Sequence, residues 1–344
     1  MGEQHRNERY EDGPYDFVPL ADSVMLERLL TGTGDAKRTG HDAATGCAGT
    51  IRGMYTAATP VRVGTGIFEL GTSSEEPLIY QPMFRVAGTP GIPGSSLKGA
   101  VRSVVEAITA SCIQTSASVM RLRSCSIKKD IDPNMAELCP ACRIFGAQGF
   151  LGRVAFDDAR LLEGDTTFAD LPALWRPRKE QRKRYYRPDG KPKGRKFYRH
   201  GYPETGDIPS EICPASSVFS VRVDFHDLSP AELGLLLIGI GCQTAQDNRP
   251  MMHKLGGSKP SCCGSVKFRL KELHVATPAK RWMTTAFDQD SQPGTTEPEQ
   301  YVLAALNQTW FLHPQYQAVQ RILAPADASE LRKCGYEPEQ SWRR

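Results

Sequence analysis

The chain has 344 residues, 40% of them apolar, with 31 glycines, 25 prolines and a formal net charge of only +4. That length admits one large domain with insertions or two small ones, and the Gly and Pro content implies many loops. The near-neutral balance excludes a uniformly basic nucleic-acid binder, so any such surface must come from uneven placement of charge.

No apolar run of about 18 residues is present and the first residues are polar, so a cytoplasmic protein without a membrane partner is expected. In that reducing setting the ten cysteines read as metal ligands or buried thiols rather than disulfides. Residues 1–15 form a charged, flexible arm, and order begins at Phe17-Val18-Pro19-Leu20. A Gly/Thr/Asp-rich stretch over 31–49 reads as loop. TIRGMYT (50–56) alternates apolar and polar and predicts a strand running into 59–64.

Next comes IPGSSLKGAVRS (92–103), where a Pro/Gly turn delivers two serines and a lysine into an apolar helix expected over 96–110. Such a junction aims backbone N–H groups, hydroxyls and a cation at one spot, which suits a phosphate. Gly94, Ser95, Ser96, Lys98 and Arg102 are the candidates. An ordinary serine N-cap after a turn is the other reading.

GRVAFDDARL (152–161) predicts a second strand, and a long polar insertion then precedes SVFSVRVD (217–224), a third. Ser229, Pro230 and Glu232 open a helix with an N-cap, a first-position proline and a capping box. GSVKFRLKEL (264–273) predicts a fourth strand. The order β-α-β-β-α-β is the ferredoxin-like (RRM-like) plan, an α+β fold. We read residues 16–278 as that domain and 279–344 as a linker and a C-terminal helical appendage, with helices near 300–306 and 315–323, packing on the core or on a neighbour.

Four cysteines, Cys112, Cys125, Cys139 and Cys142, fall between the first helix and the second strand. Cys139-Pro140-Ala141-Cys142 is a tight hook able to present two thiolates to one tetrahedral ion, and Cys112 and Cys125 are the nearest residues to complete it. A closed four-ligand site leaves no position for reactive water, so the expected cofactor is structural Zn2+. A redox CxxC or unrelated thiols are the alternatives. Cys262 and Cys263 are adjacent and cannot chelate in this way, and the remaining cysteines read as packing or surface thiols.

Residues 175–200 read WRPRKEQRKRYYRPDGKPKGRKFYRH, in which twelve Lys/Arg face only Glu180 and Asp189. Five aromatic rings interleave the cations. Charge attracts phosphate while rings and guanidinium planes stack on unpaired bases, a mix suited to single-stranded RNA. Asp189-Gly190 signals a hairpin turn. Arg195, Lys196, Tyr198 and His200 are the candidate contacts here, with a solvated basic loop as the alternative. Before the fourth strand, HKLGGSKP (253–260) supplies a Gly-rich loop with Lys254, Gly256, Gly257 and Lys259, where glycines permit close approach to a phosphate chain.

Taken in order, these pieces carry a resemblance. IPGSSLKGAVRS, CPACRIFG (139–146) with GRVAFDDARL, GRKFYRH (194–200), and HKLGGSKP before GSVKF, opened by PYDFVPL (14–20), resemble the RAMP (repeat-associated mysterious protein) superfamily. The likeness is to backbone subunits of type III CRISPR effector complexes and covers about residues 14–275. It implies a ferredoxin-like core, binding of CRISPR RNA and target RNA, and assembly with other RAMP subunits and the complex's large subunit. It also implies a zinc site and a thumb-like insertion, which we place at about 162–215.

Members that cut target RNA carry an aspartate in the loop ahead of the IPGSSLKG motif. Here that loop, 64–82, has none, and Tyr80 stands two residues before Pro82 where relatives place the acid. Glu75 and Glu76 lie nearby, but a longer side chain at a shifted position displaces the carboxylate. Three readings follow: a non-catalytic RNA-binding subunit, which we favour, one that also cleaves target RNA through Glu75 or Glu76, and a guide-processing endoribonuclease using His200 or His253.

Overall fold

The computed structural model describes residues 13–28, 46–113, 122, 124–127, 137–174, 184–242, 244, 251–276 and 295–324. Its strands, in chain order, are β1 (Tyr15–Val18), β2 (Glu27–Arg28), β3 (Cys47–Ala57), β4 (Glu69–Leu70), β5 (Ile79–Tyr80), β6 (Arg85–Val86), β7 (Thr89–Ile92) and β8 (Glu137–Leu138), then β9 (Val154–Phe156), β10 (Ala159–Glu163), β11 (Thr167–Leu171), β12 (Arg195–Tyr198), β13 (Ile208–Ile212), β14 (Val218–Leu228), β15 (Met252–Lys254) and β16 (Ser265–Ala276). The helices are α1 (Gly94–Ile108), α2 (Pro140–Phe145), α3 (Pro230–Ile240), α4 (Glu299–Leu306) and α5 (His313–Leu323). Residues 1–12 of the expected arm, 175–183 of the basic insertion and most of the expected linker lie outside the described residues.

An eight-stranded antiparallel sheet organises the protein, in the order β15-β16-β3-β14-β10-β7-β6, with β9 also paired to β14. The predicted second strand is thus two strands, β9 and β10, separated at Asp157-Asp158. Alternation decides which face is covered. Ile51, Tyr55 and Ala57 of β3 are buried while Arg52 is exposed, the pattern of a sheet with one packed and one polar face. On the polar face Arg52 reaches Glu272 at 3.3 Å and Arg222 reaches Asp224 at 3.1 Å. On the packed face the Tyr55 hydroxyl donates to the Ile240 carbonyl at 3.0 Å, fixing α3 to the sheet.

The ends of α3 are built as its sequence implies. Ser229 Oγ accepts from the Glu232 N–H, the Glu232 carboxylate accepts from the Ser229 N–H, and Gly241 closes the helix at φ 92°. Every residue of α3 after Pro230 is buried, because α4 covers the side that would otherwise face water. The contact is close: a Cβ on Gly234 would lie 1.8 Å from the Tyr301 carbonyl oxygen. Trp310, Phe311, Val319 and Leu323 join the same core as Leu97, Val101 and Val105 of α1, so α4 and α5 complete the central core.

Small two-stranded sheets surround this body. β1 pairs with β12, β11 with β13, β4 with β5, and β2 with β8. The first of these brings the opening YDFV segment alongside RKFY, 180 positions on. Among the described residues no helix is long and apolar enough to cross a membrane.

Candidate nucleic-acid interface and metal centre

The start of α1 differs from a serine-capped helix. It begins at Gly94 after Pro93, with no side-chain cap. Asp158, in the break between β9 and β10, accepts the Gly94 N–H at 2.7 Å and serves that first turn with a carboxylate. Ser95 and Ser96 stay exposed. Lys98 is half-buried, its ammonium donating to the Val154 carbonyl at 3.1 Å, and burial, with the Arg102 charge nearby, lowers its pKa.

Beside this helix start lies a cleft of about 540 Å³. Ser96, Gly99 and Ser103 of α1, Gly256, Gly257 and Lys259 of the Gly-rich loop, and Arg62 with Gly64 all line it. Two segments separated by some 150 positions in the sequence therefore meet at one groove. The glycines serve the protein itself: Gly257 donates its N–H to the Arg62 carbonyl at 2.7 Å, and Gly256, at φ +77°, sits where a Cβ would lie 2.1 Å from that same oxygen. Close backbone approach is required here by Arg62.

Arg62 was not among the residues singled out from sequence. Its only signal is a lone cation at the end of the first strand's extension. Its guanidinium donates to the neutral Gln81 side chain, so its charge is not cancelled, and burial lowers its pKa. Burial also lowers that of Lys259. Among the described residues no carboxylate pairs with either cation. A groove lined by hydroxyls, glycines and two uncompensated cations is equipped to hold a phosphodiester backbone.

Other expected contacts lie elsewhere. Lys254 is turned into the protein, donating to the Cys262 and Cys263 carbonyls at 2.9 and 3.0 Å, and burial pushes its pKa down to about 7. His200 is also internal, with Nδ1 2.9 Å from Ser265 Oγ, and burial takes its pKa down to about 3. His253 is buried beside Tyr55, and burial lowers its pKa to about 4. Neither histidine faces the cleft. Glu76 is held in its own turn by the Thr72 N–H at 2.6 Å and Thr72 Oγ1 at 3.1 Å, and Glu75 is exposed on the same loop.

On the basic insertion, called the insertion arm from here on, Asp189-Gly190 forms the expected turn, with Gly190 donating to the Arg187 carbonyl. Lys196 lies 4.7–5.3 Å from the ring centres of Tyr198, Tyr15 and Tyr185, a cation held over three aromatic faces. Arg195 points the other way, toward α1, where its guanidinium meets Glu106 at 2.6 Å.

Cys112, Cys125, Cys139 and Cys142 converge, their sulfurs all within 4.8 Å of one another. Cys112 Sγ is 3.5 Å from Cys142 Sγ and 3.6 Å from Cys139 Sγ. Four thiolates about 2.3 Å from a tetrahedral ion stand about 3.8 Å apart, so the set has the size of a metal site. The hook is anchored from outside by Arg143 on α2, whose Nε meets Glu232 at 2.6 Å and whose NH1 meets Glu27 at 2.7 Å. Cys262 is disulfide-bonded, which corrects the expectation of reduced thiols throughout.

These elements are the ones a family model recognises: the model for the RAMP superfamily matches residues 55–236, a little over half of the chain. The chain belongs to the RAMP superfamily. Proteins of this superfamily are CRISPR-associated, generally bind RNA and work in multi-subunit complexes. No curated protein matches the chain. The RAMP match runs from Tyr55 in β3 to Leu236 in α3. It takes in Arg62, the start of α1, the four cysteines, Asp158 and the insertion arm, while the loop carrying Gly256 and Lys259 lies beyond it.

Proposed function

We propose that this RAMP protein is a CRISPR RNA-binding backbone subunit of a type III RNA-guided interference complex. It would hold guide and guide–target duplex through backbone contacts, sequence being read by base pairing. The observation that carries the reading is the cleft that Ser96 and Ser103 of α1 line together with Gly256, Gly257, Lys259 and Arg62. Its hydroxyls, glycines and cations suit a strand's phosphates, and the basic, aromatic insertion that carries β12 would add further contacts to RNA.

The fold supports the same reading. With β9 and β10 counted as one broken strand, the sheet order β16-β3-β14-β9/β10 with α1 and α3 as crossovers is 4-1-3-2, the ferredoxin-like order. The chain between β10 and β14 is then the thumb-like insertion, and the segment around the cysteines the metal-binding one. Cys112, Cys125, Cys139 and Cys142 would hold structural Zn2+, whose chemistry is to cross-link these loops. Arg143 orients the hook. Other RAMP subunits and the large subunit are the expected partners.

Target cleavage at this subunit is not favoured, because the Glu76 carboxylate is engaged by Thr72 and Glu75 stands apart from the cleft lining. Guide processing is disfavoured by the burial of His200 and His253. The deciding experiment is sequencing of RNA that co-purifies with tagged protein expressed with its CRISPR locus. Guide-length RNAs sharing a repeat-derived 5′ tag are expected, and random short RNAs or none would overturn the assignment.

A further inference from the structure

Arg102 and Glu106 stand four residues apart on α1, in an otherwise apolar stretch, and both face inward. Each of the three Arg102 guanidinium nitrogens is engaged. Its Nε donates to Glu106 Oε1 at 2.7 Å, its NH1 to the Gly146 carbonyl at 3.0 Å, and its NH2 to Cys142 Sγ at 3.4 Å. The other Glu106 oxygen takes Arg195 NH2 at 2.6 Å, and the same nitrogen donates to the Cys112 carbonyl at 3.2 Å. Both guanidinium groups therefore touch the cysteine cluster, one at a sulfur and one at a ligand's backbone, and one carboxylate joins them. Exposures of 16%, 7% and 19% for Arg102, Glu106 and Arg195 keep the bridge out of bulk solvent.

A divalent ion held by four thiolates carries two net negative charges, and burying them is costly unless cations stand close. Arg102 supplies one at a sulfur. Arg195 supplies another, and Glu106 separates the two guanidiniums so they do not repel. Side chains alternate along a strand, so β12, by presenting Arg195 to Glu106, presents Lys196 and Tyr198 on its opposite face. The Glu106 carboxylate that meets Arg102 beside the cysteine cluster also meets Arg195, which orients β12.

We propose that Arg102, Glu106 and Arg195 form a charge bridge that stabilises the metal–tetrathiolate centre and, through it, sets the position of β12. The inference rests on the reading of the four cysteines as a metal site. Arg102 and Arg195 are thereby positioning residues, and their charge is absorbed within the protein, whereas Arg62 and Lys259 keep theirs for a ligand. Removing the metal loosens β12 and its partner β1. The reverse also holds by linkage: whatever holds the insertion arm's strand in place slows metal loss.

The test uses the full chain. Cobalt(II) substitution reports the ligand set through its thiolate charge-transfer absorption, and competition against a chromogenic chelator reports zinc affinity. Hydrogen exchange of 15–18 and 195–198 reports the insertion arm's β12 and its partner β1. Arg102→Gln is expected to weaken zinc binding about tenfold or more, the usual effect of losing an outer-shell partner, and to shift the cobalt–thiolate band. Arg102→Lys, which keeps charge but not the fork, should fall between it and wild type. Arg195→Gln should raise β12 exchange with zinc bound. Arg52→Gln, on the polar sheet face, is the control for a generally weakened fold and should match wild type.

If wild-type protein gives no tetrathiolate cobalt spectrum, the metal reading fails and the bridge with it. If wild type gives that spectrum and Arg102→Gln leaves affinity and band unchanged, the bridge alone is overturned. Unchanged β12 exchange on chelation of the wild type would likewise separate the insertion arm from the metal and refute the coupling.

Discussion

If the cleft holds RNA, its two uncompensated cations must appear in the salt dependence of binding. Lys259→Ala removes one ammonium from the Gly-rich loop, which lines the groove together with Ser96 and Ser103. Each phosphate contact on a single strand contributes about 0.7 to the slope of log affinity against log salt. Losing one should therefore shrink the wild-type advantage by about 0.7 log units per decade of salt, or about 2.6-fold between roughly 50 and 200 mM. Arg62→Gln with Lys259→Ala should remove about 1.4 of slope, about sevenfold over that range.

Fluorescence anisotropy of labelled single-stranded RNA, titrated at four or five salt concentrations, measures the slopes directly. Lys98→Ala is the internal contrast, because that ammonium is turned to the Val154 carbonyl and stands outside the cleft lining. Its slope should match wild type. A slope unchanged in the double variant, or lowered only by Lys98→Ala, would refute the cleft as the phosphate site.

Three further outcomes are expected. Cys139→Ser should abolish zinc in metal analysis and lower stability strongly, since structural zinc contributes on the order of 10–16 kcal/mol in small zinc peptides; full occupancy in that variant would remove the assignment. Gly256→Ala should destabilise by at least about 1–2 kcal/mol in urea unfolding, the cost of a left-handed non-glycine residue, before any shift forced by the Arg62 oxygen 2.1 Å from the new Cβ; wild-type stability would show that the loop does not need its glycine. Burial depresses the His200 and His253 pKa values to about 3 and 4, so their contribution is complete above the unfolded value of about 6.5 and is lost as pH falls through those folded values. Urea midpoints should therefore fall from pH 6.5 toward pH 4, with a shallower fall in His253→Gln, and parallel profiles would contradict the burial argument.

Much of the central architecture was legible because periodicity and capping chemistry act locally. TIRGMYT lies inside β3, and Ser229 with Glu232 forms the capping box its spacing implies. The cysteine quartet was equally legible, since a CxxC hook needs only two more thiols within reach. What sequence could not give was the partner of each charged residue. Lys254 and His200 looked like ligand contacts because their types suit phosphate, but burial and a nearby carbonyl or hydroxyl engage them internally. Arg62 was passed over because a single arginine after a strand has no local signature. Its role depends on a loop about 190 positions later.

The same asymmetry would let a chain with so small a net charge hold RNA as proposed. Its motif arginines sit largely against acids: Arg102 and Arg195 on Glu106, Arg143 on Glu232 and Glu27, Arg153 near Asp227. Apart from Glu27, which is half-exposed, these groups are buried or nearly so, and breaking one of the buried pairs by removing a single partner strands the other charge, at a cost of about 3–5 kcal/mol. They lock the cysteine loops, α1, α3 and β12 into one body, and have little charge left to offer a ligand. Arg62 donates to the neutral Gln81, and among the described residues neither it nor Lys259 pairs with a carboxylate. Binding capacity in this fold is thus decided less by how many cations a segment carries than by which of them the acids of neighbouring elements leave unmatched.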